Sequence, residues 1–209
     1  MPYNLNYSQT MSPTPFPQIQ QHVVNKLQAK LPQQLTYHSL RHTLDVVEQA
    51  ENIALAEGIM CPHELLTLKV AALYHDAGFI DTYHDHEDHG CKIATQELPG
   101  FGFTKHQIEK VCSLIKATRI PQNPQSHLEQ ILCDADLDYL GREDFEQIAN
   151  NLYKELLAYN ILKAEEEWDA LQVQFLEKHS YFTGYSIKKR EKKKQAYLEM
   201  LKSKVNQTL

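Results

Sequence analysis

The chain has 209 residues, with 21 Lys and Arg against 27 Asp and Glu and a formal net charge of −6 at pH 7. Hydrophobic residues make up 42% of it, which excludes disorder throughout and favours one globular domain. The acidic balance argues against broad nucleic-acid binding, because such binding depends on Lys and Arg. No apolar stretch approaches the roughly 20 residues of a membrane span, and the N-terminus lacks the features of a secretory signal. We therefore expect a cytoplasmic protein without membrane contact.

The composition along the chain predicts an all-α protein. Pro2, Pro13 and Pro15 lie within residues 1–16, which we expect to form a flexible arm. Residues 17–209 are rich in Leu, Ala, Glu, Gln and Lys, and no alternating run is bounded by hairpin turns, so they are interpreted as one helical domain. Helices are predicted near residues 17–30, 38–57, 62–77, 86–98, 104–118, 127–140, 143–160, 163–180 and 187–205.

Local signals mark helix starts and helix breaks. Pro62 suits a first helical position, and the segments 104–107 and 126–129 have the capping-box pattern. The segments 99–103 and 119–125 are the clearest helix breakers, and we expect them to separate helices of one bundle.

The four cysteines, Cys61, Cys91, Cys112 and Cys133, are widely spaced and form no C-x-x-C pair. Each has apolar neighbours in the sequence. We therefore expect reduced thiols in the core, and neither a disulfide framework nor a thiolate zinc site.

The adjacent pair His75 and Asp76 is the first candidate for chemistry. It follows a strongly apolar helix, so two ionisable groups come to lie at a buried helix end. An unpaired carboxylate there is costly, and the usual remedies are a cation partner or a metal ion. Imidazole and carboxylate groups are good ligands for divalent transition metals.

Two further ligand candidates have similar surroundings. His42 lies on an amphipathic helix, and Asp136 interrupts an apolar segment. Each alone has an ordinary explanation, because a single histidine is commonly a hydrogen-bonded structural residue and a single aspartate near a helix end is commonly a cap.

The order of these residues resembles the HD superfamily of metal-dependent phosphohydrolases. The segments HDAG (75–78) and DADLDYLG (134–141) carry the resemblance, which covers about residues 36–142. It implies an HD-domain helical bundle with additional C-terminal helices over about 143–209. It also implies one divalent metal ion, of Mn, Fe, Co, Ni, Zn or Mg, held by His42, His75, Asp76 and Asp136.

Three aspartates compete for the last ligand position. In the family this ligand follows a small residue, as Asp136 follows Ala135, so we choose Asp136. Residues i and i+4 share a helical face and i+2 does not, so Asp136 is expected to point away from Asp134 and Asp138. These two become supporting or capping candidates.

The resemblance also suggests groups for proton transfer. Asp81 is a candidate to orient or deprotonate the attacking water. His86 and Glu87, near the start of the next helix, fit phosphate binding, water activation or a second metal. The helix dipole alone also favours an acidic residue such as Glu87 there.

Positive charge for a phosphate group is expected from Arg41, Lys116 and Arg119. Arg41 is adjacent to a ligand candidate, and the other two lie one turn apart late in a helix. Cations near a helix C-terminus also complement its dipole, so this interpretation has an ordinary alternative.

Two differences from known relatives bear on the predicted substrate and on the predicted number of metal ions. Relatives that hydrolyse guanosine tetraphosphate carry a Glu-Asp pair after the His-Asp pair, where this chain has the segment 79–81, Phe-Ile-Asp. Binuclear relatives carry further histidines where this chain has LIKATR (114–119), which favours one metal ion. The segment 175–201 is similar to the tail of a bacterial HD subgroup, and it either closes over the site or packs against the bundle.

The sequence therefore predicts a metal-dependent phosphohydrolase that acts through a metal-activated water on a nucleotide or other small phosphorylated metabolite. A non-catalytic, nucleotide-sensing regulatory HD module is the alternative. Oxidative chemistry at a diiron site, known in relatives with more histidine ligands, is a third possibility. A homodimer is a possible assembly.

Overall fold

The structure, a computed structural model, describes residues 15–208, and this part of the chain contains helices and short 3₁₀ turns but no strand. The predicted all-α fold is confirmed. The helices of this range are α1 (Phe16–Lys30), α2 (Leu40–Ala56), α3 (Pro62–Tyr74), α4 (His86–Glu97), α5 (Lys105–Ala117), α6 (His127–Asp136), α7 (Phe145–Ala158), α8 (Glu165–Lys178) and α9 (Gly184–Thr208). Three 3₁₀ turns span Ala77–Ile80, Leu98–Phe101 and Asp138–Gly141. The predicted arm over residues 1–16 lies outside the described residues, apart from the last two, where α1 begins.

Two helices end earlier than predicted, and both ends lie near the candidate site. α3 ends at Tyr74 and α6 at Asp136, and a 3₁₀ turn follows each of them. Such tight turns are common at helix ends, and apolar periodicity does not distinguish them from another α-helical turn. The capping boxes at Thr104 and Ser126 are both present with their reciprocal hydrogen bonds.

Two hydrophobic clusters form the interior. The first is built from α1 to α6 and includes Tyr74 and Ala135. The second is built from α7 to α9 together with Tyr37, Leu137 and the turn Asp138–Gly141. His75 and Asp136 follow Tyr74 and Ala135 directly in the chain, and Leu137 comes next after Asp136. The candidate site therefore lies where the two clusters meet.

The expectation of four core thiols is wrong for one of them. Cys91 and Cys133 are buried and Cys112 is half-buried, whereas Cys61 is exposed immediately before α3. Cys61 has apolar neighbours in the sequence, but the loop before the first helical turn keeps it at the surface. All four are free thiols. Within residues 15–208, no helix is both long enough and apolar enough to span a bilayer.

Candidate metal centre

The four ligand candidates converge from three helices. Nε2 of His42, on α2, lies 3.1 Å from Oδ1 of Asp136 and 3.4 Å from Oδ2 of Asp76. It also lies 3.4 Å from Nε2 of His75. Nε2 of His75 lies 3.2 Å from Oδ2 of Asp76 and 3.5 Å from Oδ1 of Asp136. In the described part of the chain, His42, His75 and Asp76 are the one set of three or more His, Cys, Asp or Glu side chains whose ligand atoms are close enough together to hold one metal ion.

The spacing of these donor atoms suits a divalent cation. Two donors about 2.1 Å from one ion lie about 3.0 Å apart in octahedral geometry and about 3.4 Å apart in tetrahedral geometry. The separations from Nε2 of His42 to the carboxylates, 3.1 and 3.4 Å, match these values. Oδ2 of Asp76 is buried and has no hydrogen-bond partner. A cation would satisfy this costly buried oxygen, so the residues present fit a metal ion.

The end of α3 fixes the orientation of His75. Its Nδ1 lies 2.8 Å from the carbonyl oxygen of Ala72, one of the carbonyls in the last turn of the helix that need a non-helical partner. With Nδ1–H donating to this carbonyl, Nε2 would be the nitrogen that binds a metal ion. Metal-binding histidines are commonly held in this way.

The cluster attracts positive charge. Burial lowers the pKa of His75, but the Asp76 and Asp136 carboxylates outweigh it and raise this pKa well above its usual value. Burial likewise raises the pKa of Asp136, but its bonds to His42 and His75 lower it to about 2. The pKa of Asp76 is also held below its usual value, mainly by His75 against the effect of burial. A metal ion would compete with protons for these imidazoles.

Asp134 and Asp138 do not face the cluster. Asp134 accepts hydrogen bonds from the backbone N–H groups of Phe182 and Thr183 at 2.9 and 2.8 Å. Asp138 accepts two bonds of 2.8 Å from the guanidinium of Arg190. Both carboxylates therefore anchor the C-terminal segment, Asp134 from α6 and Asp138 from the 3₁₀ turn that follows it. This segment packs against the bundle at these positions.

Three aromatic rings border the metal cluster. The ring of Phe79 contacts the rings of His38 and His86, with centroids 4.2 and 3.9 Å from its own, and the two imidazole centroids lie 6.0 Å apart. Nε2 of His86 lies 3.5 Å from Oδ1 of Asp76. The departure from the Glu-Asp pair of some relatives thus places an aromatic ring in contact with two imidazoles.

The position of His86 depends on a close backbone contact. A Cβ atom at Gly78 would lie 1.9 Å from the carbonyl oxygen of His86, and one at Gly90 would lie 2.7 Å from the carbonyl oxygen of Tyr74. Only glycine leaves room for α4 to approach the turn Ala77–Ile80 this closely. The glycine of the HDAG segment therefore serves to bring α4 to the metal cluster.

The two acidic proton-transfer candidates differ in their position. A cavity lined by Asp76 and Asp136 opens beside the metal cluster. Glu87 is buried and also lines this cavity, and its Oε1 lies 3.5 Å from Nε2 of His86. The side chain of Asp81 is 54% exposed, contacts Nδ1 of His89 at 3.6 Å, and does not line that cavity. The geometry therefore supports Glu87 more than Asp81, because Asp81 follows the turn on its outer side.

The cations predicted for phosphate binding do not line the cavity. Arg119 binds Glu87 at 3.2 Å and Asp88 at 2.6 Å, and Lys116 lies 3.4 Å from Asp88. Arg41 lines a second cavity, together with His42 and Arg142. Their phosphate-binding role stays a prediction, and in this structure Lys116 and Arg119 neutralise acidic residues of α4.

Comparisons with known proteins add the family. Residues 39–138 match the HD-domain family model. They are an HD domain. A crystal structure named as a predicted HD superfamily hydrolase, from an uncultured Thermotogales bacterium, is similar with a TM-score of 0.58 and 23% sequence identity. The alignment covers 90% of this chain and 92% of that chain, and it shows a shared fold. No curated protein matches this chain.

HD domains bind divalent metals, so the matched segment is of a kind that holds a metal ion. The matched segment contains His42, His75, Asp76 and Asp136, which the resemblance identified. It begins one residue after His38 and ends before α7. The side chains of His38 and of Glu155, on α7, therefore lie outside the segment that matches the family model.

Sequence reasoning did not identify these two groups, His38 and Glu155. Glu155, on α7, is fully buried, and its Oε2 accepts the backbone N–H groups of Tyr37 and His38 at 2.8 and 3.0 Å. Its Oε1 contacts Nδ1 of His38 and accepts a 3.2 Å bond from the hydroxyl of Tyr83. The available signal in the sequence was the carboxylate of Glu155 next to Leu156, on the apolar face of a predicted helix. Its partner lies 117 positions away, which no local pattern identifies.

Proposed function

We propose that this HD-domain protein is a metal-dependent phosphohydrolase that acts on a small phosphorylated metabolite. The observation that carries the proposal is a cluster of metal-ligand types in which His75 and Asp76 are buried, and whose Asp76 and Asp136 line a cavity. His42, His75, Asp76 and Asp136 would hold the ion. When bound, a divalent ion supplies Lewis acidity toward a phosphoryl oxygen and lowers the pKa of coordinated water. The prediction of a nucleotide substrate is kept for testing.

The two histidines that contact Phe79 are suited to opposite proton-transfer roles. Both His38 and His86 line the cavity, and each ring contacts that of Phe79. Burial lowers the pKa of His86, and it also opposes protonation of His38, but the bond to Glu155 and the nearby carboxylates raise the pKa of His38. We assign proton acceptance from the attacking water to Nε2 of His86. His38 would hold a proton for the leaving oxygen, because groups with pKa values shifted apart suit base and acid roles.

The experiment is phosphate release by the full chain, stripped with a chelator and reloaded separately with Mn, Fe, Co, Ni, Zn or Mg. The substrates are nucleoside mono-, di- and triphosphates and simple phosphate monoesters. We expect release that requires a metal. Asp76→Asn should lose it, whereas Glu64→Gln, which changes an exposed carboxylate in the first turn of α3, should retain it.

His86→Gln separates catalysis from metal binding. We expect it to retain the metal and to lose at least tenfold in turnover, since a positioned acid or base contributes about 10² to 10⁴. Full activity in Asp76→Asn would contradict the proposal. Metal binding without release from any substrate would favour the nucleotide-sensing alternative.

A further inference from the structure

A cavity next to the candidate metal centre is lined mostly by apolar side chains. It has a volume of about 240 Å³ and extends from the metal cluster between α7 and α8. The polar end is formed by His38, His86, Asp76 and Asp136. The opposite end is formed by aliphatic and aromatic side chains that include Leu140, Phe145, Leu152, Leu156, Trp168 and Phe175.

The charges around this cavity are unfavourable for a polyphosphate. Within residues 15–208 its lining contains no Lys or Arg, and its carboxylates are Asp76, Glu87 and Asp136. Lys116 and Arg119 are paired with acidic residues of α4. A nucleoside triphosphate would therefore bring three or more negative charges to a site where the metal ion is the main positive charge. The dianion of a single phosphate group is matched by one divalent ion.

The described lining holds few uncharged polar groups for a sugar: the hydroxyls of Tyr37, Tyr83, Tyr139 and Thr118, the amide of Gln172 and the indole N–H of Trp168. Two of the hydroxyls are already bonded, since Thr118 donates to the carbonyl oxygen of Ile115 and Tyr83 donates to Glu155. Binding sites that select polar ligands place several hydrogen-bonding groups at defined positions. The end opposite the metal cluster instead offers apolar surface, which favours a ligand by removing its own apolar surface from water.

We propose that the substrate is a phosphate monoester of an apolar alcohol, with its hydrocarbon group between α7 and α8. The proposal rests on the proposed function for its reacting end. In the reaction, the oxygen of water forms a bond to phosphorus, and the bond between phosphorus and the alcohol oxygen breaks. One proton of the water ends on the alcohol and the other on the phosphate, so the products are the alcohol and inorganic phosphate.

The first test measures binding independently of turnover. Alkylphosphonates of two to ten carbons, which cannot be hydrolysed, are titrated calorimetrically into the Mn²⁺-loaded full chain. Each buried methylene should tighten Kd about three- to fourfold until the cavity is filled. We expect the longer phosphonates to bind more tightly than adenosine triphosphate. A Kd that does not change with chain length would overturn the proposal.

The second test places bulk in the cavity. Ala149 on α7 lines the apolar end and is buried, so Ala149→Leu should weaken binding of decylphosphonate at least tenfold and leave ethylphosphonate within twofold. Ala158→Leu, at the exposed end of the same helix, is the matched control and should change neither. Equal weakening of both ligands by Ala149→Leu would contradict an apolar subsite. Leu152→Ala enlarges the cavity, so the phosphonate that binds most tightly should have a longer alkyl chain. This second variant keeps the test decisive if Ala149→Leu does not fold.

Turnover separates this proposal from the proposed function. Metal-dependent release from decyl phosphate with a higher kcat/KM than from ethyl phosphate or nucleotides supports both. Chain-length-dependent phosphonate binding without release of phosphate from any ester would contradict the hydrolase and leave the ligand class supported. Release from ethyl phosphate and nucleotides with no preference for longer chains would support the hydrolase and overturn the apolar substrate.

Discussion

Asp134 and Asp136 lie two residues apart on α6 and face different parts of the molecule. Asp136 contacts the imidazole of His42, and Asp134 accepts three hydrogen bonds from the C-terminal segment, two of them from backbone N–H groups. A turn of about 200° between residues i and i+2 of a helix accounts for the difference. One carboxylate is therefore a candidate for chemistry and the other for stability.

This division predicts opposite effects of two isosteric substitutions. Asp134→Asn supplies one acceptor oxygen where the donors of Phe182 and Thr183 use both, so we expect a loss of about 2 kcal/mol in the free energy of unfolding. Its metal affinity should stay within a factor of three. Asp136→Asn should weaken metal binding at least tenfold with a smaller loss of stability. Urea unfolding and metal titration of both variants check this, and a reversed pattern would contradict the assignment.

A second prediction at the residue scale concerns Gly78. Its substitution by Ala places a methyl group 1.9 Å from a backbone carbonyl of α4, so α4 has to move away together with His86. We expect Gly78→Ala to lower the free energy of unfolding by about 2 kcal/mol or more, as overpacking does. Gly100→Ala is the control, because a Cβ there meets nothing within 4 Å. Equal stability of the two variants in urea unfolding would contradict the close-contact argument.

The junction between α8 and α9 contains a titratable pair, the half-buried His179 and the buried Lys194. Burial and the Lys194 ammonium lower the pKa of His179 to about 4. Nζ of Lys194, itself buried, lies 3.4 Å from Nδ1 of His179 and donates to its carbonyl oxygen at 2.7 Å. The folded protein therefore keeps this imidazole neutral in a range where the unfolded chain, with a pKa of about 6.5, binds a proton.

This pair predicts how stability depends on pH. Between about pH 6.5 and pH 4 the unfolded state binds a proton that the folded state does not, so the free energy of unfolding falls as the pH falls through this window. His179→Gln should lose less stability than the unsubstituted protein between pH 7 and pH 4.5. His63→Gln, at an exposed position on α3, should behave like the unsubstituted protein. Identical pH profiles for His179→Gln and the unsubstituted protein, measured by urea unfolding, would show that His179 carries none of the dependence.

At the scale of elements, sequence and structure agree where local physics decides. Capping boxes and apolar periodicity located the helices, because both depend on residues within a few positions. The order of His42, the His75-Asp76 pair and Asp136 indicated the candidate site, because the resemblance supplied their convergence. The endings of α3 and α6 were missed, since a 3₁₀ turn has the same local pattern as an α-helical turn.

Local sequence patterns could not predict which residues far apart in the chain contact each other. The bonds between His38 and Glu155 join residues 117 positions apart, and the ion pairs of Arg119 depend on how α4 packs against α5. The sequence places the cation Arg119 at a helix end, but it does not identify the acidic residues with which Arg119 forms ion pairs. The apolar cavity likewise arises from side chains of several elements, so no segment of the sequence reveals it.

In the molecule as a whole, the candidate metal centre lies between the two hydrophobic clusters. The ligand candidates come from α2, α3 and α6 of the first cluster, and Leu137 and Tyr139 of the second line the cavity beside them. A cation bound there holds together groups that are dispersed in the unfolded chain. Metal binding is therefore expected to stabilise the whole domain.

This coupling predicts a metal-dependent unfolding temperature. At a free Mn²⁺ concentration of 100 times Kd, the stabilisation should be about 2.7 kcal/mol, and a chelator should remove it. Asp76→Asn should melt at the same temperature with and without Mn²⁺. Differential scanning calorimetry measures both, and an equal upward shift in Asp76→Asn would locate the metal elsewhere.

The most direct test of the account is the metal content of the purified chain by elemental analysis, after loading with Mn²⁺ and dialysis. About one ion per chain is predicted for the unsubstituted protein and for Glu64→Gln, with almost none in Asp76→Asn. No metal in the unsubstituted protein, or equal content in Asp76→Asn, would contradict the assignment of His42, His75, Asp76 and Asp136 as its ligands.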